Sequence, residues 1–159
     1  MQHTISVLVK NEAGALSRMV DLFSARGYNI ESLTVSNTLD TKYARATIFV
    51  TNCEDNVIEQ ILKQLHKLIP VIKVQELTPD NSTTLELVFI KVDAKNEVEN
   101  LLKIAQDFGA KIIDASAKTY TIQAVCNEKQ LKSLVELLKP IGIKDIVRSG
   151  AVSIPMGAV

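Results

Sequence analysis

The chain has 159 residues, 18 basic against 18 acidic side chains, 47% apolar residues and 4% aromatic ones, with no Trp. That length admits one domain or two small ones, and the core has to be built mainly from aliphatic side chains. Up to Thr78 there are eight basic and eight acidic residues, and ten of each beyond, so neither half carries the basic excess of a nucleic-acid binder.

The first half reads strand, helix, strand, strand, helix, strand. In residues 5–9, Ile5, Val7 and Val9 alternate with Ser6 and Leu8. A short polar turn, Asn11-Glu12-Ala13-Gly14, leads into a helix whose Leu16, Met19, Val20 and Phe23 recur at helical spacing; Gly27 is its expected C-cap. Residues 28–36 form a second strand, and Thr38-Leu39-Asp40-Thr41-Lys42 a hairpin connection. The third strand covers 43–51, with Ala44, Ala46, Ile48 and Val50 on one face and Tyr43, Arg45, Thr47 and Phe49 on the other. Asp55-Asn56 is positioned to cap a second helix bearing Val57, Ile58, Ile61, Leu62, Leu65 and Leu68; Pro70 stops it, and 71–75 make a fourth strand.

Thr78-Pro79-Asp80-Asn81-Ser82 has the composition of a linker. The second half then repeats the order. Strands are expected at 85–92, 112–115, 119–125 and 143–147. One helix carries Val98, Leu101, Leu102, Ala105 and Phe108 and ends at Gly109; another carries Leu131, Leu134, Val135 and Leu138 and ends at Pro140 and Gly142. The fold class is α+β: two tandem ferredoxin-like βαββαβ units, each an antiparallel four-stranded sheet with two helices on one face. The expected domains are 1–77 and 84–159, joined by a linker at 78–83. The second face of such a sheet has to be covered or to tolerate water, and self-association is expected.

The turn after the first strand of each half differs. Asn11-Glu12-Ala13-Gly14 contains glycine; Asp93-Ala94-Lys95-Asn96 does not. A helix N-terminus offers free N–H groups to an anion, and glycine lets a ligand approach the backbone closely. The turn by itself allows two readings, a tight turn with Asn11 bonding its own loop or a small-anion site. Asn29, which opens the second strand, falls at the opposite end of the first helix from Gly14, so a neighbouring chain has to bring the two segments together.

Other chemistry is missing from the pattern. His3 and His66 are remote from each other and from cysteine, Ser17 lacks a nucleophile-elbow context, and there is no phosphate-binding or dinucleotide-binding glycine motif. The RNA-recognition fold shares this element order but needs aromatic residues on its central strands. Here 5–9 has none and 44–50 only Phe49. Cys53 and Cys126 form no CxxC pair and are expected as buried or half-buried thiols. No run reaches the roughly 18 apolar residues of a membrane span, and the N-terminal residues lack the blocks of a signal peptide. A soluble cytoplasmic protein, without membrane or nucleic-acid partner, is expected.

The segments Asn11-Glu12-Ala13-Gly14-Ala15-Leu16-Ser17-Arg18 and Leu22-Phe23-Ser24-Ala25-Arg26-Gly27-Tyr28-Asn29-Ile30-Glu31-Ser32-Leu33-Thr34-Val35 resemble the regulatory (small) subunit of acetohydroxyacid synthase, also called acetolactate synthase. The likeness continues through Lys63-Gln64-Leu65-His66-Lys67-Leu68, Val71-Ile72-Lys73-Val74, residues 87–92 and 109–115, and Arg148-Ser149-Gly150.

This resemblance implies an N-terminal ACT domain, a second ferredoxin-like domain, and no chemistry or cofactor in this chain. It implies a partner, the large catalytic subunit, that uses thiamine diphosphate, Mg or another divalent metal, and FAD. That partner condenses two pyruvates, or pyruvate with 2-ketobutyrate. The small subunit raises its activity and confers feedback inhibition by valine, sometimes by leucine or isoleucine. The family's effector residues fall on Asn11, Gly14 and Asn29. Amides of Gly14, Ala15 and Leu16 are then expected to hold the effector carboxylate. Asn11, with Asn29 and Ile30 of a neighbouring chain in a homodimer, is expected to meet the ammonium group, and Leu16, Leu33 and Val35 to line the side-chain pocket. The chain departs from the family at Leu85-Glu86, where Arg-Glu is common, at Cys126-Asn127, where Thr-Gly is, and at Pro155, where a basic residue is. A stand-alone amino-acid-sensing regulator of another enzyme or of transcription is the alternative; the latter wants a helix-turn-helix or a basic surface, and neither is visible.

Overall fold

The computed structural model describes residues 2–51, 54–93 and 97–157. The elements follow in chain order: β1 (Gln2–Lys10), α1 (Ala15–Ser24), β2 (Ile30–Asn37), β3 (Tyr43–Thr51), α2 (Asp55–His66), β4 (Val71–Leu77), β5 (Ser82–Asp93), α3 (Val98–Asp107), β6 (Lys111–Ala115), β7 (Thr119–Cys126), α4 (Glu128–Leu138) and β8 (Ile143–Pro155). They make two four-stranded sheets of the same topology, β2-β3-β1-β4 and β6-β7-β5-β8. The two ferredoxin-like units are therefore as the alternation and punctuation of the sequence dictate.

In unit 1, β1 lies between β3 and β4 and is antiparallel to both. Period-two alternation sends Ile5, Val7 and Val9 to one face, beside Ala44, Ala46, Ile48 and Val50 of β3. Met19, Leu22 and Phe23 of α1 and Ile58, Ile61 and Leu65 of α2 close over that face. Each fully buried side chain of this size contributes about 1.5–3 kcal/mol. Unit 2 repeats the plan with Val88, Ile90 and Val92, Ile122 and Ala124, Leu101 and Ile104, and Leu131, Leu134 and Leu138.

The unit boundaries differ from the sequence expectation. Residues up to Thr84 together with those from Ala151 onward form unit 1, and Leu85–Gly150 form unit 2. Residues 78–81 are a tight turn rather than a loose linker: Asn81 N–H donates to Thr78 O (3.1 Å), and Asn81 Oδ1 accepts from Thr78 N–H (2.9 Å). The last residues bond to β2, to the 78–81 turn and to the start of β5. Thr34 Oγ1 donates to Ala151 O (2.8 Å), Met156 N–H donates to Asn81 O (2.7 Å), and the hydroxyls of Thr84 and Ser153 pair. On the second face of the unit 1 sheet, Ser6, Thr47 and Phe49 are buried rather than wet.

Two smaller expectations also change. α2 begins at Asp55 with Glu54 in the N-cap position and no side-chain cap. Asp55 instead stands 3.9 Å from Nε2 of the buried His3, whose Nδ1 is 2.8 Å from Glu76 Oε1. α1 ends at Ser24 with Ala25 as its C-cap, and Gly27 (φ 69°) follows two residues later. Cys53 and the turn residues Ala94, Lys95 and Asn96 lie outside the described residues. Among the described residues, no helix is long and apolar enough to cross a membrane.

Candidate functional site

The β1–α1 turn is assembled by its backbone. Lys10 N–H donates to Pro70 O (2.8 Å), and Asn11 N–H to Lys42 O (2.8 Å), which fixes the exit of β1 against both neighbouring loops. Asn11 Nδ2 also donates to Thr41 O (2.9 Å). The side chain thus clamps the β2–β3 hairpin to the turn, and its Oδ1 has no donor among the described residues.

Gly14 is the N-cap of α1 and sits at φ 82°, ψ −5°. A non-glycine residue rarely adopts this left-handed conformation. Nothing lies within 4 Å of the position its Cβ would take, so the glycine answers to conformation rather than to crowding.

A helix start has four N–H groups with no intrahelical acceptor. Here Ala15 N–H turns back to Glu12 O (3.2 Å), and the ladder begins with Arg18 N–H to Gly14 O (3.1 Å). No side chain caps the helix, and its first turn contains no acidic residue. The N–H groups of Gly14, Leu16 and Ser17 have no acceptor among the described residues. The positive end of the helix dipole is therefore uncompensated from within. Leu16, 43% exposed, stands beside it as an apolar wall.

Of the residues singled out from sequence, Asn11, Gly14, Ala15 and Leu16 come together in this turn. The Ala15 amide differs from expectation, since it already has an acceptor and its side chain is buried. Ser17 N–H was not foreseen, although counting three residues on from an N-cap finds it. Asn29 and Ile30 do not join them in one chain. Ile30 pairs with Val50 and Lys10 with Tyr43 at the opposite ends of β3, which separates the two by about 24 Å. Leu33 packs against the core of its own unit, and Val35 is 41% exposed.

Two family descriptions match the chain in succession: the AHAS small subunit-like ACT domain over residues 5–73, and the small subunit of acetolactate synthase over 85–157. The chain belongs to the acetolactate synthase small-subunit family. It is 44% identical over 156 residues to the acetolactate synthase small subunit of Mycolicibacterium smegmatis, covering 98% of this chain and 91% of that one. It is 40% identical over 158 residues to the probable small subunit of Archaeoglobus fulgidus, covering 99% and 98%. The crystal structure of the Thermotoga maritima small subunit superposes with a TM-score of 0.90 at 31% identity, covering 100% and 99%.

Among the described residues, unit 2 holds one buried carboxylate with a full partner. Glu86 is buried, and Arg148 of β8 binds it with two bonds, Nε to Oε2 at 2.8 Å and Nη2 to Oε1 at 2.6 Å. A buried carboxylate needs such a partner. Cys126, opposite Glu86 in the β5–β7 ladder, is buried. Burial first, and the Glu86 charge second, push its thiol pKa up, and Arg148 opposes them. At 4% exposure Cys126 packs in the unit 2 core. Among the described residues no three His, Cys, Asp or Glu side chains cluster as metal ligands.

Proposed function

We propose that this chain is the regulatory subunit that raises the activity of the acetolactate synthase large catalytic subunit and confers feedback inhibition by valine, with leucine or isoleucine as related effectors. The observation that carries this reading is the start of α1: a left-handed glycine N-cap, three N–H groups without acceptors, and no acidic side chain in the first turn. An amino-acid carboxylate matches that arrangement. The N–H groups of Gly14, Leu16 and Ser17 bind it, Asn11 Oδ1 accepts from the ammonium group, and Leu16 borders the aliphatic side chain.

The effector is far shorter than the separation of about 24 Å between the two ends of the sheet. Asn29 and Ile30 therefore act on it from a second copy. β2 is an edge strand, and two copies paired along that edge about a two-fold axis perpendicular to the strands would run antiparallel, setting the Gly14 end of one beside the Asn29 end of the other. The working form in this reading is a cytoplasmic homodimer bound to the large subunit. Thiamine diphosphate, Mg and FAD reside in that partner, and no residue here is assigned to them.

Regulation follows from differential affinity. Valine inhibits only if it binds the inhibiting arrangement of the complex more tightly than the activating one. The test is calorimetric titration of the purified chain with valine, leucine and isoleucine, followed by inhibition curves of the reconstituted enzyme. The expected result is saturable binding of one or more of them. Absence of heat for all three, in an enzyme that none of them inhibits, would refute the reading.

A further inference from the structure

We infer that residues 151–156 are a strap through which the effector state of unit 1 is read and passed along β8 into unit 2; this rests on the regulatory reading above. β8 is one strand, yet its contacts divide at Gly150. The residues before it pack in unit 2 and those after it in unit 1. Gly150 itself has φ 79°, a left-handed conformation inside a strand, which glycine alone adopts cheaply.

Either side of that point is anchored. Two residues before it, Arg148 holds the buried Glu86. Beyond it, Ala151 O accepts from Thr34 Oγ1, Ser153 is buried with its hydroxyl paired to Thr84, and Met156 N–H reaches Asn81 O.

The Thr34 contact gives the strap its role. Thr34 belongs to β2, the edge strand that Asn29 and Ile30 introduce. The pairing of β2 with β3 shifts register between Ile30 and Ser32. Ser32 Oγ is buried without a partner among the described residues. A bulge and an unmatched hydroxyl mark a strand with room for a second arrangement. A ligand that favours one arrangement at Asn29 and Ile30 moves the Thr34 hydroxyl, and with it the carbonyl to which that hydroxyl donates. Because residue 151 is covalently continuous with Gly150 and Arg148, the displacement reaches β8 of unit 2 with no further contact required.

The experiment is hydrogen–deuterium exchange on the full-length chain with and without valine, with calorimetry on the same samples. Valine is expected to change protection of the amides of 151–156. In Thr34→Val, which keeps shape but removes the donor, that change is expected to vanish while valine still binds. With the catalytic subunit, the half-inhibitory valine concentration is expected to rise about three- to tenfold, the factor one hydrogen bond supplies. Thr34→Ser, which keeps the hydroxyl, is expected to restore both. Valine binding with unchanged protection at 151–156, or a Thr34→Val enzyme with the original inhibition curve, overturns the strap alone. Absence of binding by valine, leucine and isoleucine alike overturns the regulatory reading and the strap with it.

Discussion

The two units share a topology and differ at the start of their first helices. α1 opens on a left-handed glycine, with no capping side chain and no acidic residue in its first turn. α3 opens on Glu97, has Glu99 in its first turn, and Asn100 Nδ2 donates to Glu97 Oε2 (3.3 Å). One helix brings its own carboxylates to the positive end of its dipole; the other leaves that place for an anion from outside. The second helix of unit 2 goes further. Asn127 and Gln130 form a reciprocal capping box on α4, with bonds of 2.8 and 3.0 Å. α4 carries a side-chain cap, α2 and α3 have an acidic residue in the first turn, and α1 alone among the described helices has neither.

The strongest way to break this contrast is to give α1 a carboxylate of its own. In Gly14→Asp the new carboxylate would sit where the effector anion is proposed to bind. In the reconstituted enzyme the valine concentration for half-inhibition is expected to rise more than about a hundredfold, since each charge-assisted hydrogen bond lost is worth about 1.5–3 kcal/mol. Activation of the large subunit is expected to persist. An inhibition curve left in place would show that the open helix start does not bind the effector.

On the other side of the contrast, unit 2 depends on internal compensation. Arg148→Ala strands the buried Glu86, and denaturant unfolding is expected to show a loss of about 3–5 kcal/mol in that unit. Asn127→Ala removes half of the capping box and is expected to cost about 1 kcal/mol in the same assay. Gly14→Ala keeps the amides, adds no charge and has space for its methyl group. It is expected to lower stability by about 1 kcal/mol through the left-handed backbone alone, with valine binding by calorimetry largely retained. The smallest effect concerns Cys126. Its raised pKa keeps the thiol protonated at neutral pH, so iodoacetamide labelling of the native chain, followed by mass spectrometry, is expected to leave it unmodified until the pH is well above the usual thiol range.

Element order and the two cores were legible because alternation and helical spacing are local: Ile5, Val7 and Val9, or Leu131, Leu134 and Leu138, declare their faces without reference to the rest of the chain. The Gly14 turn was legible for the same reason. What escaped is non-local. Arg148 lies 62 residues from Glu86 and Ala151 lies 117 from Thr34, and no spacing rule pairs them. The return of residues 151–157 to unit 1 was hidden because strand periodicity says where a strand runs but not which unit supplies its partners. At Asp55 a good capping residue was claimed by position instead, one residue inside the helix and facing His3. The separation of Asn29 from Gly14, by contrast, follows from βαββαβ topology alone.

For the proposed regulatory site, that separation has a consequence on dilution. A site divided between two copies exists only as often as the copies meet, so effector affinity and self-association are linked by mass action. In the proposed dimer valine would tighten the pair, and a cell making too little of this chain would lose sensitivity to the amino acid before it lost the chain itself.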